Sequence, residues 1–273
     1  MNILMISSYL PYPLFTGGHI RLFNIMKGLS KKHRITLICE KRSSQTEDDV
    51  RKVKEITHEV IVFDRKKQWS IGNILKAGFS SHPFLLVGHT NEDMKKRIEE
   101  KLKEKFDMIH IETFYVMQNL PEVTIPTVLV EHNIEYLVYE RYRKTAPFFV
   151  QPLLAFDIAK IKYWEQYFWK KATKLVVVSE AEKKQIGIED VEVVPNGVDV
   201  KKYQISNIKY QKDNRGKKIL FIGDFKWVQN RDSIEWILSE IWPFVAKAPQ
   251  GSPRGFTPRG KQNRPRQEQR SRD

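Results

Sequence analysis

Short apolar runs alternate with helical patterns along the first 195 residues, and this alternation restricts the fold more than any other feature. The run Asn2–Ser7 is followed by a polar, proline-containing loop, a helical pattern that ends near Ser30, and a second apolar run at Arg34–Cys39. Strand, loop, helix and strand in this order form the repeating unit of a parallel sheet. We therefore predict one doubly wound, Rossmann-like α/β domain over residues 1–195.

The alternation of strands and helices continues beyond this first unit. Further compact apolar runs, mostly β-branched, are typical of strands covered on both faces. The additional predicted strands are Val60–Phe63, Met108–Ile111, Thr127–Val130, Leu175–Val178 and Val191–Val194, and the predicted helices are Asn91–Lys105 and Phe148–Lys171. Ligands of doubly wound sheets bind beyond the carboxyl ends of the strands, so we expect functional residues in the loops that follow those ends.

The remainder of the chain contains only the start of a second unit. A linker over residues 196–216 leads to a predicted strand, Lys218–Ile222, and to a helix that we expect Pro243 to stop. Residues 217–246 therefore read as the first strand and helix of an incomplete Rossmann-like domain. Residues 247–273 contain eight basic and two acidic residues, or +6 of the net +14, with four prolines and three glycines. This composition predicts a disordered basic tail.

Composition disfavours several classes of protein. No apolar run approaches the ~18 residues of a membrane-spanning helix, and no basic leader precedes the first strand, so a secretory signal is not expected. The single cysteine, Cys39, is expected in the core of a cytoplasmic protein. The histidines are scattered, and we predict neither a metal site nor a cofactor.

Two places at the predicted carboxyl edge carry residues suited to chemistry. Gly17 and Gly18 precede the first helix, where free amides and the helix dipole favour a phosphate, although a tight turn into a helix also needs glycine. His132 directly follows a predicted strand, and its imidazole could exchange a proton or hold a substrate hydroxyl. A structural hydrogen bond is the alternative. Glu131 and Glu135 are expected at a helix start or facing solvent.

Five segments in a fixed order give the chain a family resemblance. They are Tyr9–Pro13 with Gly17–Gly18, Glu131–Asn133, Val178–Glu180, Val194–Asp199, and Phe221–Trp227 with Asn230, Trp236 and Ile241–Pro243. Together they resemble the family 4 glycosyltransferases of the two-domain GT-B fold, over about residues 1–245. The resemblance implies transfer of a sugar from a nucleotide-sugar donor to a glycan or lipid-linked acceptor in polysaccharide or cell-envelope biosynthesis. It also implies retention of the anomeric configuration and independence of a metal ion.

The resemblance further implies roles for individual residues. His132 matches a histidine that in many relatives touches the transferred sugar, so it is the candidate catalytic residue. Gly17 and Gly18 match the glycine loop near the donor diphosphate, and Gly223 and Lys226 are donor-side candidates in the second domain. The candidates on the acceptor side or in the cleft are Glu112, Asn133, Ser179, Glu180 and Asn196.

The second half of the chain departs from the family pattern. The Glu-x7-Glu motif that relatives carry late in their donor-binding domain does not occur after residue 217, and the family-like sequence gives way to the basic tail after about Ala246. One strand and one helix are also too small to bury a core alone. These features predict a C-terminally truncated glycosyltransferase, from a frameshift or shortened reading frame, with impaired activity.

Alternative interpretations concern partners. The basic tail could indicate a nucleic-acid-binding protein, but Phe256 is its only aromatic residue, and no specific nucleic acid is expected. A nucleotide-sugar epimerase of the same architecture is a second alternative.

The aromatic stretch 148–169 is expected in the core. Alternatively, its start could contact an anionic membrane on the inner face, with the segments and residues Trp69, Phe84–Leu86, Arg141, Arg143 and Lys144.

Overall fold

Seven parallel strands form a single sheet in the order β3-β2-β1-β4-β5-β6-β7. This computed structural model describes residues 1–198, 200, 219–223, 225 and 228–247. The strands follow one another in one direction along the sheet from β1 to β3 and in the opposite direction from β4 to β7, as in doubly wound folds. The strands are β1 Asn2–Ser7, β2 Arg34–Lys41, β3 Glu59–Asp64, β4 Met108–Glu112, β5 Thr127–Glu131, β6 Lys174–Val177 and β7 Val191–Val193. The predicted doubly wound α/β fold is confirmed.

Helices cover both faces of this sheet. They are α1 Gly17–Leu29, α2 Glu47–Lys54, α3 Ile71–Phe79, α4 Phe84–His89, α5 Glu92–Lys101, α6 Glu135–Arg143, α7 Gln151–Lys171 and α8 Glu180–Ile186, with a 3₁₀ helix at Phe114–Asn119. Ile3 and Met5 of β1 pack into one core cluster with side chains of α1 and α2, whereas Leu4 and Ile6 pack into another with side chains of α4, α5 and α7. Burial on both faces explains the continuous apolar runs.

Several helix starts are fixed by a capping side chain. The hydroxyls of Thr16, Thr46, Ser70 and Ser179 and the amide oxygen of Asn91 each accept a backbone N–H of the helix that follows. Each such bond satisfies a donor that the helix itself leaves open and contributes on the order of 1 kcal/mol. The helices α2, α3, α4, α6 and α8 were not predicted, because six to nine residues offer too few repeats of the helical period.

The chain divides into two units, Met1–Lys202 and Tyr203–Asp273. In the second unit, helix Val228–Trp236 continues through a π-helical segment, Ile237–Ile241, into helix Trp242–Lys247. The predicted stop at Pro243 is therefore wrong, since the helix continues through this residue to Lys247. The wider π-helical turn lies directly before Pro243, where the N–H that proline lacks would otherwise bond. Residues 219–223, over which most of a strand was predicted, are irregular.

Other predictions lie partly or wholly outside the described residues. The linker after residue 198, apart from residue 200, and the tail from residue 248 onward belong to this group, so the domain boundaries and the disorder of the tail stay predictions. The predicted core position of Cys39 is confirmed, since this residue is fully buried, and burial raises the pKa of its thiol. No helix in the described part of the chain has both the length and the apolar character to cross a membrane.

Candidate functional site

Three side chains converge on the buried carboxylate of Glu112, where the strand order of the sheet reverses. Glu112 ends β4 and has no exposed surface. His132 Nε2 lies 2.7 Å from its Oε1, and His110 Nε2 lies 2.8 Å from its Oε2. The Tyr9 hydroxyl donates a longer hydrogen bond, 3.3 Å, to Oε1. These groups meet because β1 and β5 are the two neighbours of β4, and His132 and Tyr9 follow their carboxyl ends.

The hydrogen bonds fix the charge of Glu112. Burial opposes ionisation, but the hydrogen bonds from His110 and His132 outweigh it and lower the pKa of Glu112 to about 2. The carboxylate is therefore ionised at neutral pH and can only accept hydrogen bonds, so both histidines donate to it through Nε2. Burial, and then the charge of Glu112, raises the pKa of Tyr9, which remains a protonated donor.

This arrangement leaves the second ring nitrogen of His132 available. The side chain is 19% exposed, and its Nδ1 makes no hydrogen bond to any residue that the structure describes. In a neutral imidazole with its proton on Nε2, Nδ1 carries the lone pair. His132 can therefore accept a proton or a hydrogen bond from a ligand hydroxyl, while Glu112 holds the orientation of the ring.

The turn after Glu112 is held in an unusual backbone conformation. Thr113 has a φ of 67°, in the left-handed region that β-branched residues rarely adopt. Its N–H donates to the Val130 carbonyl at 2.9 Å, and its hydroxyl lies 3.3 Å from the Ser8 hydroxyl. These contacts tie the ends of β1, β4 and β5 together directly beside the Glu112 carboxylate.

Gly17 and Gly18 form the first turn of α1, next to Tyr9. A Cβ atom on Gly18 would lie 3.2 Å from Tyr9 Oη, whereas a Cβ on Gly17 would meet nothing within 4 Å. The first turn contains no acidic side chain, so the positive end of the helix dipole is not neutralised there. Tyr9 thus links the predicted phosphate-binding turn with the Glu112 carboxylate.

The two glycines predict a contrast between two alanine variants. Gly18→Ala places a methyl group against Tyr9 Oη, so either Tyr9 or the turn must shift, and we expect a loss of about 1–3 kcal/mol in the free energy of unfolding. Gly17→Ala meets open space in a helical turn, and we expect a change within about 1 kcal/mol. Thermal denaturation measures both. Equal melting temperatures for the two variants would contradict close packing of Tyr9 on Gly18.

A second acidic group is buried next to His132. Glu131, which was expected at a helix start or facing solvent, is 2% exposed because β5 extends through it. Burial, and then the charges of Glu165 and Glu135, raise the pKa of Glu131 well above its usual range. Burial also raises the pKa of Glu165 to about 8, although this carboxylate accepts the N–H groups of Glu135 and Tyr136 at 2.7 and 3.2 Å.

These raised pKa values predict how stability depends on pH. The folded chain retains protons on Glu131 and Glu165 that the unfolded chain releases near its ordinary carboxyl pKa, so the free energy of unfolding falls as pH rises above that value. Glu131→Gln removes one of the two titrations. We expect its stability to decline less steeply as the pH rises above about 5, by up to about 1.4 kcal/mol per pH unit.

Urea denaturation across this pH range measures the difference in slope. Glu189→Gln, which changes an exposed carboxyl group, is the matched control and should follow the unmodified protein. A Glu131→Gln variant with the same slope as this control would show that Glu131 ionises normally in the folded state.

The structure does not bring every predicted site residue to this cluster. Ser179 caps α8, since its hydroxyl accepts the Glu182 N–H at 3.2 Å and donates to Glu182 Oε2 at 2.9 Å. Glu180 is exposed in the first turn of the same helix, where a carboxylate favours the helix dipole. Asn133 is exposed beside His132. The contacts of Ser179 and Glu180 are those of a helix start.

Asn196 is held against α1. Arg21, buried at 7% exposure, donates through Nη1 to Asn196 Oδ1 at 3.2 Å and to the Pro195 carbonyl at 3.1 Å. The end of the first unit is therefore attached to the helix that starts at the predicted phosphate-binding turn.

The two donor-side candidates belong to the second unit. A Cβ atom on Gly223 would lie 2.9 Å from Phe221 Cε1 and 3.0 Å from Asn230 Cγ, so local packing favours glycine at this position. Lys226 lies outside the described residues.

The sequence reasoning did not assign site roles to Tyr9, His110 and Arg21. A signal for His110 was present, because His110 and Glu112 are two residues apart in a strand and therefore face the same side of the sheet. Polar residues in an otherwise apolar buried strand also need partners, which makes them candidates for a network. No local pattern indicates Arg21, whose hydrogen-bond partners lie more than 170 positions later in the chain.

Comparison with known proteins identifies relatives of this chain. A family model described as Glycosyltransferase Family 4 matches residues 15–202. A Klebsiella pneumoniae protein described as an uncharacterized 44.6 kDa protein in the cps region is 24% identical over 254 residues, which is 90% of this chain and 62% of that protein. This chain thus spans less than two thirds of the length of that relative.

Two solved structures are also similar to this chain. One is a UDP-glucosyltransferase from Polygonum tinctorium capable of glucosylating indoxyl, in complex with 3,4-dichloroaniline, with 10% identity, coverage of 72% of this chain and 52% of that chain, and a TM-score of 0.44. The other is the C-terminal domain, residues 78–226, of the PF1911 hydrogenase from Pyrococcus furiosus. It has 14% identity, coverage of 47% of this chain and 89% of that chain, and a TM-score of 0.30.

Proposed function

The chain belongs to Glycosyltransferase Family 4, and we propose that it transfers a sugar from a nucleotide-sugar donor to a glycan or lipid-linked acceptor in polysaccharide biosynthesis. The relative in a cps region supports this biosynthetic setting. The observation that carries the proposal is the hydrogen bond from His132 to the buried Glu112 carboxylate, beside the first turn of α1.

In the proposed reaction, Nδ1 of His132 accepts a hydrogen bond or a proton from a hydroxyl group of the sugar or the acceptor. Glu112 accepts a hydrogen bond from the Nε2–H group and so keeps the lone pair on Nδ1, where it can accept the hydrogen of a hydroxyl group. The ring needs no movement to reach this state, because the hydrogen bond to Glu112 already fixes its orientation. Glu112 is a positioning residue in this scheme, and His132 is the catalytic residue.

The first turn of α1 is proposed to receive the donor diphosphate. The N–H groups of Gly17 and Gly18 make no hydrogen bond to another described residue, and the helix dipole favours negative charge at this end. Charge that develops on the leaving diphosphate would be stabilised there electrostatically. We further propose that the reaction needs no metal ion and retains the anomeric configuration of the sugar. A cytoplasmic location is also proposed, and the buried, unpaired Cys39 supports it.

A donor screen tests the proposed function. The full chain is incubated with UDP-, GDP- and ADP-sugars, with and without cell membranes as a source of acceptor, and release of the nucleoside diphosphate is measured. We expect release with one class of donor, increased by acceptor. No release and no calorimetric binding with any donor would contradict the proposal. Epimerisation would change the donor without releasing its nucleotide, so the same assay distinguishes the two reactions.

A further inference from the structure

Exposed apolar side chains cover α3 and the beginning of α7. Trp69, just before α3, is 80% exposed, and Phe79 at its end is 91% exposed. Phe148, before α7, is 82% exposed. The aromatic surface, as we define it, consists of Trp69, Ile71, Ile74, Leu75, Phe79, Phe148, Phe149, Leu153 and Phe156. Single exposed apolar residues are ordinary, but a group on adjacent elements marks an interaction site.

Contacts between α3 and α7 make this one surface. The Lys160 ammonium group of α7 donates to the Ser80 carbonyl at 3.0 Å and also to the Ala77 carbonyl, at the end of α3. The same Nζ atom lies 4.3 Å from the centre of the Phe156 ring. One side chain therefore joins the exposed end of α3 to the exposed face of α7.

Positive charge surrounds the aromatic surface. Residues 65–91 contain four Lys or Arg residues and no Asp or Glu. Lys66, Lys67 and Lys76 of this stretch are exposed, as is Lys144 before α7. The nearby carboxylates are engaged, since Glu140 pairs with Arg143, and Asp157 accepts the Phe84 N–H at 2.9 Å. Aromatic side chains with exposed lysines around them suit a surface of anionic lipid headgroups. Protein–protein interfaces, in contrast, are depleted in lysine.

The aromatic surface lies on the same edge of the sheet as His132. α7 has 21 residues and returns directly to the start of β6. A helix of this length extends roughly 30 Å, whereas the four-residue β6 extends only about 13 Å. The N-terminal half of α7 therefore reaches beyond the carboxyl ends of the strands. α3 follows β3 at that same edge, and His132 follows β5 there.

We propose that the aromatic surface docks on an anionic lipid bilayer and so turns the edge of the sheet that carries His132 toward the membrane. Docking itself rests on the exposed residues and their charge. That an acceptor waits in the membrane rests on the proposed function. The membrane contact considered from the sequence included Leu85 and Leu86. That part is wrong, because α4 buries both side chains in the core. The exposed residues of α3 form this part of the surface instead.

Vesicle flotation with the full chain tests the docking. Vesicles contain phosphatidylcholine alone or mixed with phosphatidylglycerol. We expect binding only with the anionic lipid, and we expect Phe79→Ser/Phe148→Ser to weaken it by about tenfold or more. Both side chains are more than four-fifths exposed, so the fold should be unaffected, which circular dichroism checks. Binding that is equal for both lipids, or unchanged in this variant, would overturn the proposal.

Charge variants and assembly provide the matched controls. Lys66→Gln/Lys76→Gln should weaken binding, whereas Lys31→Gln/Lys32→Gln, which removes the same charge just before β2 at the opposite edge, should not. Equal weakening would mean nonspecific attraction and would reject the surface. If Phe79→Ser/Phe148→Ser instead dissociates a dimer in light scattering without changing vesicle binding, the surface joins two copies of the chain.

Donor release without membranes separates the two proposals. Phe79→Ser/Phe148→Ser should release nucleotide as fast as the unmodified chain, because neither residue contacts the Glu112 cluster. If the unmodified chain binds vesicles but releases no nucleotide from any donor, the proposed function fails and the docking surface stands. If it releases nucleotide but ignores vesicles, the reverse holds.

Discussion

Replacing His132 by alanine is expected to lower the rate of sugar transfer by about 100- to 10,000-fold, the usual contribution of a positioned acid or base. The variant removes Nδ1, the acceptor that the structure leaves available. It also removes the hydrogen bond at 2.7 Å to the buried Glu112 carboxylate, so some loss of stability is expected as well, about 1.5–3 kcal/mol for a bond to a charged group.

A glutamine variant separates the two effects. His132→Gln can still donate an amide N–H to Glu112 but cannot take up a proton, so we expect it to restore much of the stability while the rate stays low. Rates at saturating donor and melting temperatures are measured for both variants. A rate for His132→Ala equal to that of the unmodified protein would refute the catalytic role of His132.

Changes at Glu112 are expected to have the largest effect on stability. Glu112→Ala leaves the N–H donors of His110 and His132 without their acceptor and creates a cavity beside them, and we expect a loss of about 2–5 kcal/mol. Glu112→Gln keeps the volume, but its amide nitrogen must face one of the donors, so one ring must turn or change its tautomer. We expect transfer by this variant to fall about 10- to 100-fold, as for other groups that orient a reactive ligand.

Nitrogen NMR of the imidazoles distinguishes positioning from simple structural support. In the unmodified protein we expect His132 to carry its proton on Nε2, and in Glu112→Gln we expect a mixture of tautomers. Glu131→Gln is the control, since it changes a neighbouring buried carboxyl that does not contact His132, and it should alter neither the tautomer nor the rate. A single Nε2–H tautomer in Glu112→Gln together with an unchanged rate would contradict the role assigned to Glu112.

The fold of the first unit could be predicted because its signals are local. A strand covered on both faces must be apolar at every position, so β1 and β2 stand out as continuous runs in the sequence. The shorter α3 could not be recognised in the same way. Its apolar residues do not face the core, and only Ala77 among its nine residues is buried, so the period that marks a core-facing helix is missing.

The candidate site could be predicted only in part because it is assembled by strand pairing. His132 and the two glycines were found, since each directly follows or precedes a predicted element. The network around Glu112 depends on β4 lying between β1 and β5, where Glu112 pairs with Ser7 on one side and Val130 on the other. Burial of Glu131 has the same origin, because its neighbour Glu165 comes from a helix 34 positions later.

The attachment of Asn196 to Arg21 limits where the chain can bend. Two hydrogen bonds to a buried guanidinium hold Pro195 and Asn196 to α1. Any hinge that lets later residues move as a body against the first unit must therefore lie after Asn196. The same two bonds connect α1 to Pro195 and Asn196. A ligand that displaces the first turn of α1 would therefore also displace the residues from which the rest of the chain departs. Arg21→Ala would remove both bonds, together with the positive charge that partly offsets the rise in the pKa of Tyr9.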